Sequence, residues 1–307
     1  MQIRPATPAD LGQVHDIWYR AEVEDFPDVP PPGDMPAIFH HELETGKMYV
    51  AQAGSRILGY TALIPRGAIA YLAELYVRDD EQSSGIGQAL LARALPHQAS
   101  SNGSGLTSAA CTLSSNDPRA LALYIRAGMQ PRWPHFLLYA AGSRITGSSP
   151  GEPLAAGVDV VPARPGDHEL VRWDAEVGGR FRPEDHAYWV EGTAATPLWF
   201  ARGSETLGYG YVQARNHEVA LWHPEALSLG PIGAHSPTLA LDCTLAAVAW
   251  AAERAPALAL GVPAAHPCLP VLLQAGFRIT YVETFVSTEE NVPCDPACYL
   301  PSSSTLF

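Results

Sequence analysis

Apolar residues along this 307-residue chain recur with two different periods, and the alternation between them lays out its elements. Leu11, Val14, Ile17, Trp18 and Ala21 share one face of a 3.6-residue repeat, which predicts a helix over 8–20 with Pro8 in its first turn. A loop rich in acids follows, and Pro27, Pro30, Pro31 and Pro32 interrupt structure before a second helix over 35–44. Short apolar runs bounded by turn residues predict strands at 2–6, 48–53, 57–64, 69–77, 106–113 and 135–140, with helices over 84–95 and 117–126. The order is α/β (α+β), with a sheet that receives a helix after its fourth strand.

The same pattern returns further along. Ile3-Arg4-Pro5-Ala6-Thr7-Pro8-Ala9-Asp10 is echoed by Val160-Val161-Pro162-Ala163-Arg164-Pro165-Gly166-Asp167. The hairpin signal around Gly54-Ser55, ending at Gly59-Tyr60, is echoed around Gly203-Ser204, ending at Gly208-Tyr209, and Ala127-Gly128-Met129 by Ala275-Gly276-Phe277. From hairpin glycine to last glycine is 69 residues in the first copy and 68 in the second. Three echoes in one order at constant spacing predict a tandem duplication of a ~145-residue unit. The boundaries read as an N-terminal domain over 1–143, a Gly/Ser/Pro-rich linker over 144–157 and a C-terminal domain over 158–307. The Pro- and Ser-rich stretch 291–307 reads as a surface wrap or a frayed end.

Composition narrows the function. Nineteen Lys+Arg against 32 Asp+Glu give a formal charge of −13, and Lys47 is the single lysine, which argues against nucleic acid or an anionic membrane as partner. No apolar run approaches the ~18 residues of a membrane span, and Met1 leads into Gln2-Ile3-Arg4 without a leader pattern. Five cysteines, an odd number, make no disulfide framework. A cytoplasmic monomer or homodimer is the expectation. Cys294 and Cys298 have no second ligand pair nearby and the histidines lack ligand spacing, so no metal is expected.

The chemistry sits in Leu75-Tyr76-Val77-Arg78-Asp79-Asp80-Glu81-Gln82-Ser83-Ser84-Gly85-Ile86-Gly87-Gln88. An apolar strand runs through an acidic turn into Gln-x-x-Gly-x-Gly and then an aliphatic helix. Gly85 and Gly87 leave amides unshielded at a helix N-terminus, where the dipole favours phosphate oxygens. A dinucleotide fingerprint would need a third glycine at position 90, which is Leu90.

These residues resemble the acetyl-CoA-binding segment of the GNAT-type N-acetyltransferases. Asn116, followed by Leu123-Tyr124 and Gly128-Met129, is similar to that superfamily's second motif, with Met129 in place of the usual Phe and Gln82 where Arg is commoner. The resemblance implies two tandem GNAT-like domains, each a mixed, mostly antiparallel twisted sheet flanked by helices. It implies acetyl-CoA as cosubstrate and a primary amine of a small molecule or peptide as acceptor, attacked directly in a ternary complex. By the same resemblance Gln82, Ser83, Ser84, Gly85, Ile86, Gly87 and Gln88 hold the pyrophosphate, Leu75, Tyr76 and Val77 pair with the pantetheine arm, and Asn116 holds its amides. Tyr124 would protonate the leaving thiolate, and Glu74, which precedes Leu75 on the strand beside the thioester, would take the amine's proton. Glu22, Glu24, Asp25 and Asp28 lie where an acceptor approaches.

In the second copy the corresponding stretch, Gly230-Pro231-Ile232-Gly233-Ala234-His235-Ser236-Pro237, lacks the motif, and Leu272 stands in the place of Tyr124. That copy is expected to support the fold and close the acceptor side. Two other readings stay open at the level of sequence: a non-catalytic acyl-CoA-binding protein, and a transferase for a longer acyl group or a hydroxyl acceptor.

Overall fold

The computed structural model describes residues 1–24, 26–95, 109–141, 145, 157–290, 292 and 294–307. Asp25, residues 106–108 of the fifth expected strand, and nearly all of the expected linker lie outside them. The first half runs β1 (Gln2–Pro5), α1 (Leu11–Val23), α2 (Ala37–Thr45), β2 (Lys47–Ala53), β3 (Arg56–Arg66), β4 (Ile69–Val77), α3 (Ile86–Ala94), β5 (Ala109–Ser114), α4 (Pro118–Arg126) and β6 (Gln130–Ala141). The second repeats the order as β7 (Asp159–Pro162), α5 (His168–Val177), α6 (Pro183–Glu191), β8 (Thr196–Arg202) and β9 (Glu205–Gln213). It continues through a one-turn α7 (His217–Ala220), β10 (Ala226–Ala234), α8 (Pro237–Ala252), β11 (Ala257–Pro263), α9 (Cys268–Gln274) and β12 (Arg278–Ser287). A short β13 (Tyr299–Leu300) ends the series.

Among the described residues all thirteen strands form one sheet, in the order β1-β2-β3-β4-β5-β12-β6-β11-β10-β9-β8-β7, with β13 branching onto β10. Every pairing is antiparallel except β4 with β5 and β10 with β11, the same step in each repeat. The fold class is therefore a mixed, mostly antiparallel sheet flanked by helices, built twice.

The repeats do not keep to their own halves. β12 pairs with β5 of the first repeat (Phe285 opposite Leu113), while β6 lies between β12 and β11. Each repeat lends its last strand to the other, so a cut in sequence at 144–157 does not coincide with a cut in the sheet. Side chains join the halves as well. Leu11, Trp18, Phe39 and Tyr60 share a buried cluster with Leu170, Trp189, Tyr209 and Tyr211. Arg66 on β3 donates to both carboxylate oxygens of Asp185 on α6 (3.2 and 3.1 Å), and His41 Nε2 lies 2.8 Å from the same group. All three side chains are buried, so the pairing must satisfy charges that water cannot reach.

The segment after β13 corrects the expectation of a surface wrap. Ser302, Thr305, Leu306 and Phe307 are buried. The Phe307 ring stacks on Tyr71 of β4 (5.6 Å between centroids), and its carbonyl accepts from Arg182 at 2.6 Å. Proline and serine are used here as interior donors and spacers.

Candidate active site

β4 and β5 hold together only at their start. Ile69, Ala70 and Tyr71 face Ala109, Ala110 and Cys111, and the Thr112 hydroxyl donates to the Leu72 carbonyl at 2.7 Å. Beyond this point β4 pairs with β3 alone, whereas Leu113 and Ser114 pair with β12. The strands splay into a wedge, and the edge of β4 carrying Leu75, Tyr76 and Val77 is left without a strand partner among the described residues.

The wedge leads to the start of α3. Gly85 is the N-cap at φ +86°, a left-handed conformation that L side chains adopt at a cost of about 1–2 kcal/mol, and Ser83 also has positive φ (61°). The Ala89 amide is the first to find a carbonyl, that of Gly85 at 3.1 Å. The amides of Ser83, Ser84, Gly85, Ile86, Gly87 and Gln88 have no partner among the described residues. The Ser84 hydroxyl donates to the Glu81 carbonyl, and Gln82 Oε1 accepts from Arg119 Nη1 (2.6 Å), fastening the loop to α4. Six free amides at a helix N-terminus, beside an unpaired strand edge, suit the phosphates and amides of an acyl-CoA.

Tyr124 stands on α4 and shares a buried cluster with Leu72, Leu91 and Val286. Gly128 at φ +91° lets the Met129 amide return to the Tyr124 carbonyl (3.0 Å), which ends the helix directly below the ring. The residue is 7% exposed, and its hydroxyl has no hydrogen-bond partner among the described residues. Burial, then the charges of Glu74 and Asp117, push the phenol above its usual range and keep it protonated at neutral pH.

Glu74 owes its direction to a β-bulge. Glu74 faces Ala62 and Leu72 faces Leu63, which leaves Ala73 as an extra residue on β4. Leu72 shares the cluster of Tyr124 on the α3–α4 side, and strict alternation would send Glu74 there too. The bulge turns it to the α1 side, where the Tyr60 hydroxyl donates to Oε2 at 2.9 Å. Its Oε1 is buried without a partner. Burial pushes this carboxyl well above the usual range despite Tyr60, and the charges of Glu22 and Glu218 push it further.

The other expected residues divide. Asn116 is exposed, and its Oδ1 accepts from Tyr281 of β12 at 3.1 Å, so the second repeat positions a residue of the first. Glu22 ends the buried face of α1 and accepts from the Tyr76 hydroxyl (2.9 Å); burial raises it to about 7. Glu24 and Asp28 are exposed and make no side-chain hydrogen bond or ion pair among the described residues.

Three carboxylates escaped the sequence reading. Glu218 accepts from the Ser304 and Thr305 amides (3.0 and 2.7 Å), and Glu283 on β12 accepts from the Ser304 hydroxyl (2.7 Å). Glu42 on α2 is fully buried with both oxygens unpartnered. Glu42 and Glu283 had a signal: each is an acid at a position that the period of its element assigns to the interior, beside Ile38 and Phe39 or between Tyr281 and Phe285.

Burial raises Glu283 from 4.5 to about 8, with Glu218 and Glu22 adding to the effect. A carboxyl with a raised pKa in the fold binds protons more strongly folded than unfolded. Its stabilising contribution is complete below pH ~4.5 and is lost as pH rises through ~8. Glu283→Gln does not titrate, so its melting temperature should gain on that of the parent between pH 5 and 8.5. An offset constant across that range would rule out the raised pKa.

In the second repeat the equivalent wedge is filled from within. β10 pairs with β11 only from Ala226 to Leu229, and β13 occupies the edge beyond, Leu300 opposite Ile232 and Tyr299 opposite Gly233. The N-terminus of α8 is closed by its own cap, Ser236 Oγ accepting from the Leu239 amide. The Tyr124 counterpart, Leu272, is buried.

Comparisons with known proteins bear on the fold. Residues 44–130 match the model of the acetyltransferase (GNAT) domain. No curated protein matches the chain. Among solved structures, a protein from Pyrococcus horikoshii assigned to the acetyltransferases aligns over 100% of this chain and 95% of its own, with 18% identity and a TM-score of 0.70. A tandem GNAT protein of the clavulanic acid biosynthesis pathway aligns over 95% of this chain and 99% of its own, with 18% identity and a TM-score of 0.60. A glucosamine N-acetyltransferase region in a fungal multi-domain β-N-acetylglucosaminidase aligns over 93% of this chain and 38% of its own, with 12% identity and a TM-score of 0.66. The fold is that of the GNAT acetyltransferases. More particularly, residues 44–130 match the GNAT domain, and the chain as a whole has the fold of the tandem GNAT proteins. No helix among the described residues is long and apolar enough to cross a membrane.

Proposed function

We propose that the protein is an acetyl-CoA-dependent N-acetyltransferase that works through the wedge of its first repeat. The observation that carries this reading is the meeting of three unfilled features: free amides at Ser83–Gln88, the unpaired edge of β4, and the unbonded hydroxyl of Tyr124. A purely structural repeat would fill such a slot, as the second repeat does with β13.

Acetyl-CoA supplies an activated acyl thioester. Ser83 through Gln88 hold its pyrophosphate, Leu75 to Val77 and Asn116 hold its pantetheine, and the second repeat closes the acceptor side. The acceptor's nitrogen forms the new C–N bond as the C–S bond breaks. Glu74 takes the proton that the amine loses, and its raised pKa makes it a stronger base than an exposed carboxylate once ionised. Tyr124 gives its proton to the departing thiolate, leaving an amide and a free thiol.

Calorimetry should find one acetyl-CoA per chain, and thiol release should depend on added amine. Gly85→Glu forces a side chain into left-handed backbone and sets a carboxylate against the pyrophosphate, so affinity should fall at least ~10-fold. Two bound molecules per chain, or undiminished binding by this variant, would exclude the assignment.

A further inference from the structure

Five carboxylates from both repeats meet beside the wedge, and among the described residues none has an arginine or lysine partner. The one imidazole beside them, His217, lies 3.3 Å from the Thr305 hydroxyl and is held towards its neutral form by burial. Glu22 and Glu74 hang side by side from Tyr76 and Tyr60, whose rings stack at 5.7 Å. Glu218 and Glu283 clasp Ser304 from two sides, and the Tyr71 hydroxyl ties the Ser304 carbonyl to β4. Thr305 donates to Glu218 from amide and hydroxyl and lies beside Glu74. Glu42 lies within electrostatic reach of Glu74 and Glu218, both of which push its carboxyl up after burial has done so.

Other buried carboxylates of the interior are paired with cations, whereas the buried Arg180 meets the Gly178 carbonyl and the Phe307 ring instead. Asp174 has Arg182, Asp185 has Arg66 and His41, and Asp10 has Arg4. None of the five glutamates makes an ion pair with an arginine, lysine or histidine among the described residues. The donors they do have are neutral hydroxyls and amides, and Glu42 and Glu74 Oε1, both buried, have none. A buried carboxylate without a countercharge either holds a proton or awaits a cation. One ammonium would leave most of the cluster uncompensated. Two or more, spaced along a flexible chain, could reach the Glu22–Glu74 pair and the Glu218–Glu283 pair together.

We infer that the acceptor is a diamine or longer polyamine, with one nitrogen at Glu74 for reaction and a second, still protonated, held by Glu218 and Glu283 in place of the Ser304 and Thr305 donors. This rests on the transferase reading and names the substrate class of the same site. A carboxylate or phosphate on the acceptor would be repelled.

The test uses the full chain with acetyl-CoA and 1-aminobutane, 1,4-diaminobutane or 4-aminobutanoate, which match in reach and differ in charge. Thiol release should give the diamine a kcat/KM at least ~10-fold above the monoamine, with the amino acid lowest, since a hydrogen-bonded charge contact is worth about one such factor or more. Glu283→Gln and, as a half-buried alternative, Glu22→Gln should each narrow the diamine-to-monoamine ratio. Equal rates for monoamine and diamine overturn the inference while leaving the transferase standing. If no amine releases thiol, the transferase reading fails, and calorimetry decides the inference separately: diamine binding without monoamine binding sustains it, and no diamine binding ends it.

Discussion

Tyr124→Phe should lower turnover by ~10²-fold or more while changing acetyl-CoA affinity little. The substitution keeps the ring that shares a buried cluster with Leu72, Leu91 and Val286 and removes only the hydroxyl, which bonds to nothing among the described residues. Stability should therefore hold to within about 1 kcal/mol, because no hydrogen bond within the chain is lost. A single general acid contributes ~10²–10⁴-fold, and its loss appears in kcat rather than in ground-state binding. Steady-state kinetics paired with calorimetry on both proteins separates the two. Unchanged turnover would move the proton donor elsewhere; reduced affinity with normal turnover would make Tyr124 a binding residue.

Expressing residues 1–141 and 157–307 as separate chains should yield no folded monomer of either. The first would carry β5 without β12, and a β6 stripped of both its neighbours. It would also bare Trp18, Phe39 and Tyr60 where Trp189, Tyr209 and Tyr211 now cover them. The second would bury Asp185 without Arg66 or His41, and an uncompensated charge of this kind costs about 3–5 kcal/mol. With total domain stabilities of about 5–15 kcal/mol, these losses together exceed what either half can spare. Co-expression should restore a 1:1 complex. A monomeric 1–141 chain with cooperative thermal unfolding would refute the shared sheet.

Much of this was legible from residue patterns because it is local. The glycine-to-glycine spacing of 69 and 68 residues exposes the duplication, and Gln-x-x-Gly-x-Gly at the start of an aliphatic helix exposes the loop whose amides find no partner among the described residues. What stayed hidden is non-local. β6 and β12 are both long strands that follow the last helix of their repeat, and no periodicity within them tells which stands beside β5. The orientation of Glu74 turns on one unpaired residue, Ala73, and the sequence does not mark the bulge. The stretch 302–307 has the composition of a surface strap. Its role depends on donors that answer Glu218 and Glu283, which are distant in the chain.

The crossed last strands also set an order of events during synthesis. β5 ends at Ser114, and its partner on β12 is Thr284, 170 residues later. At ribosomal rates of about 5–20 residues per second, the open side of β5 waits roughly 10–30 s for that partner to emerge. Throughout that interval the nascent first repeat presents an apolar strand border able to pair with a neighbouring polypeptide. Slow translation of the second repeat, or crowding of ribosomes on one message, should therefore cost yield through aggregation before it costs any property of the finished protein.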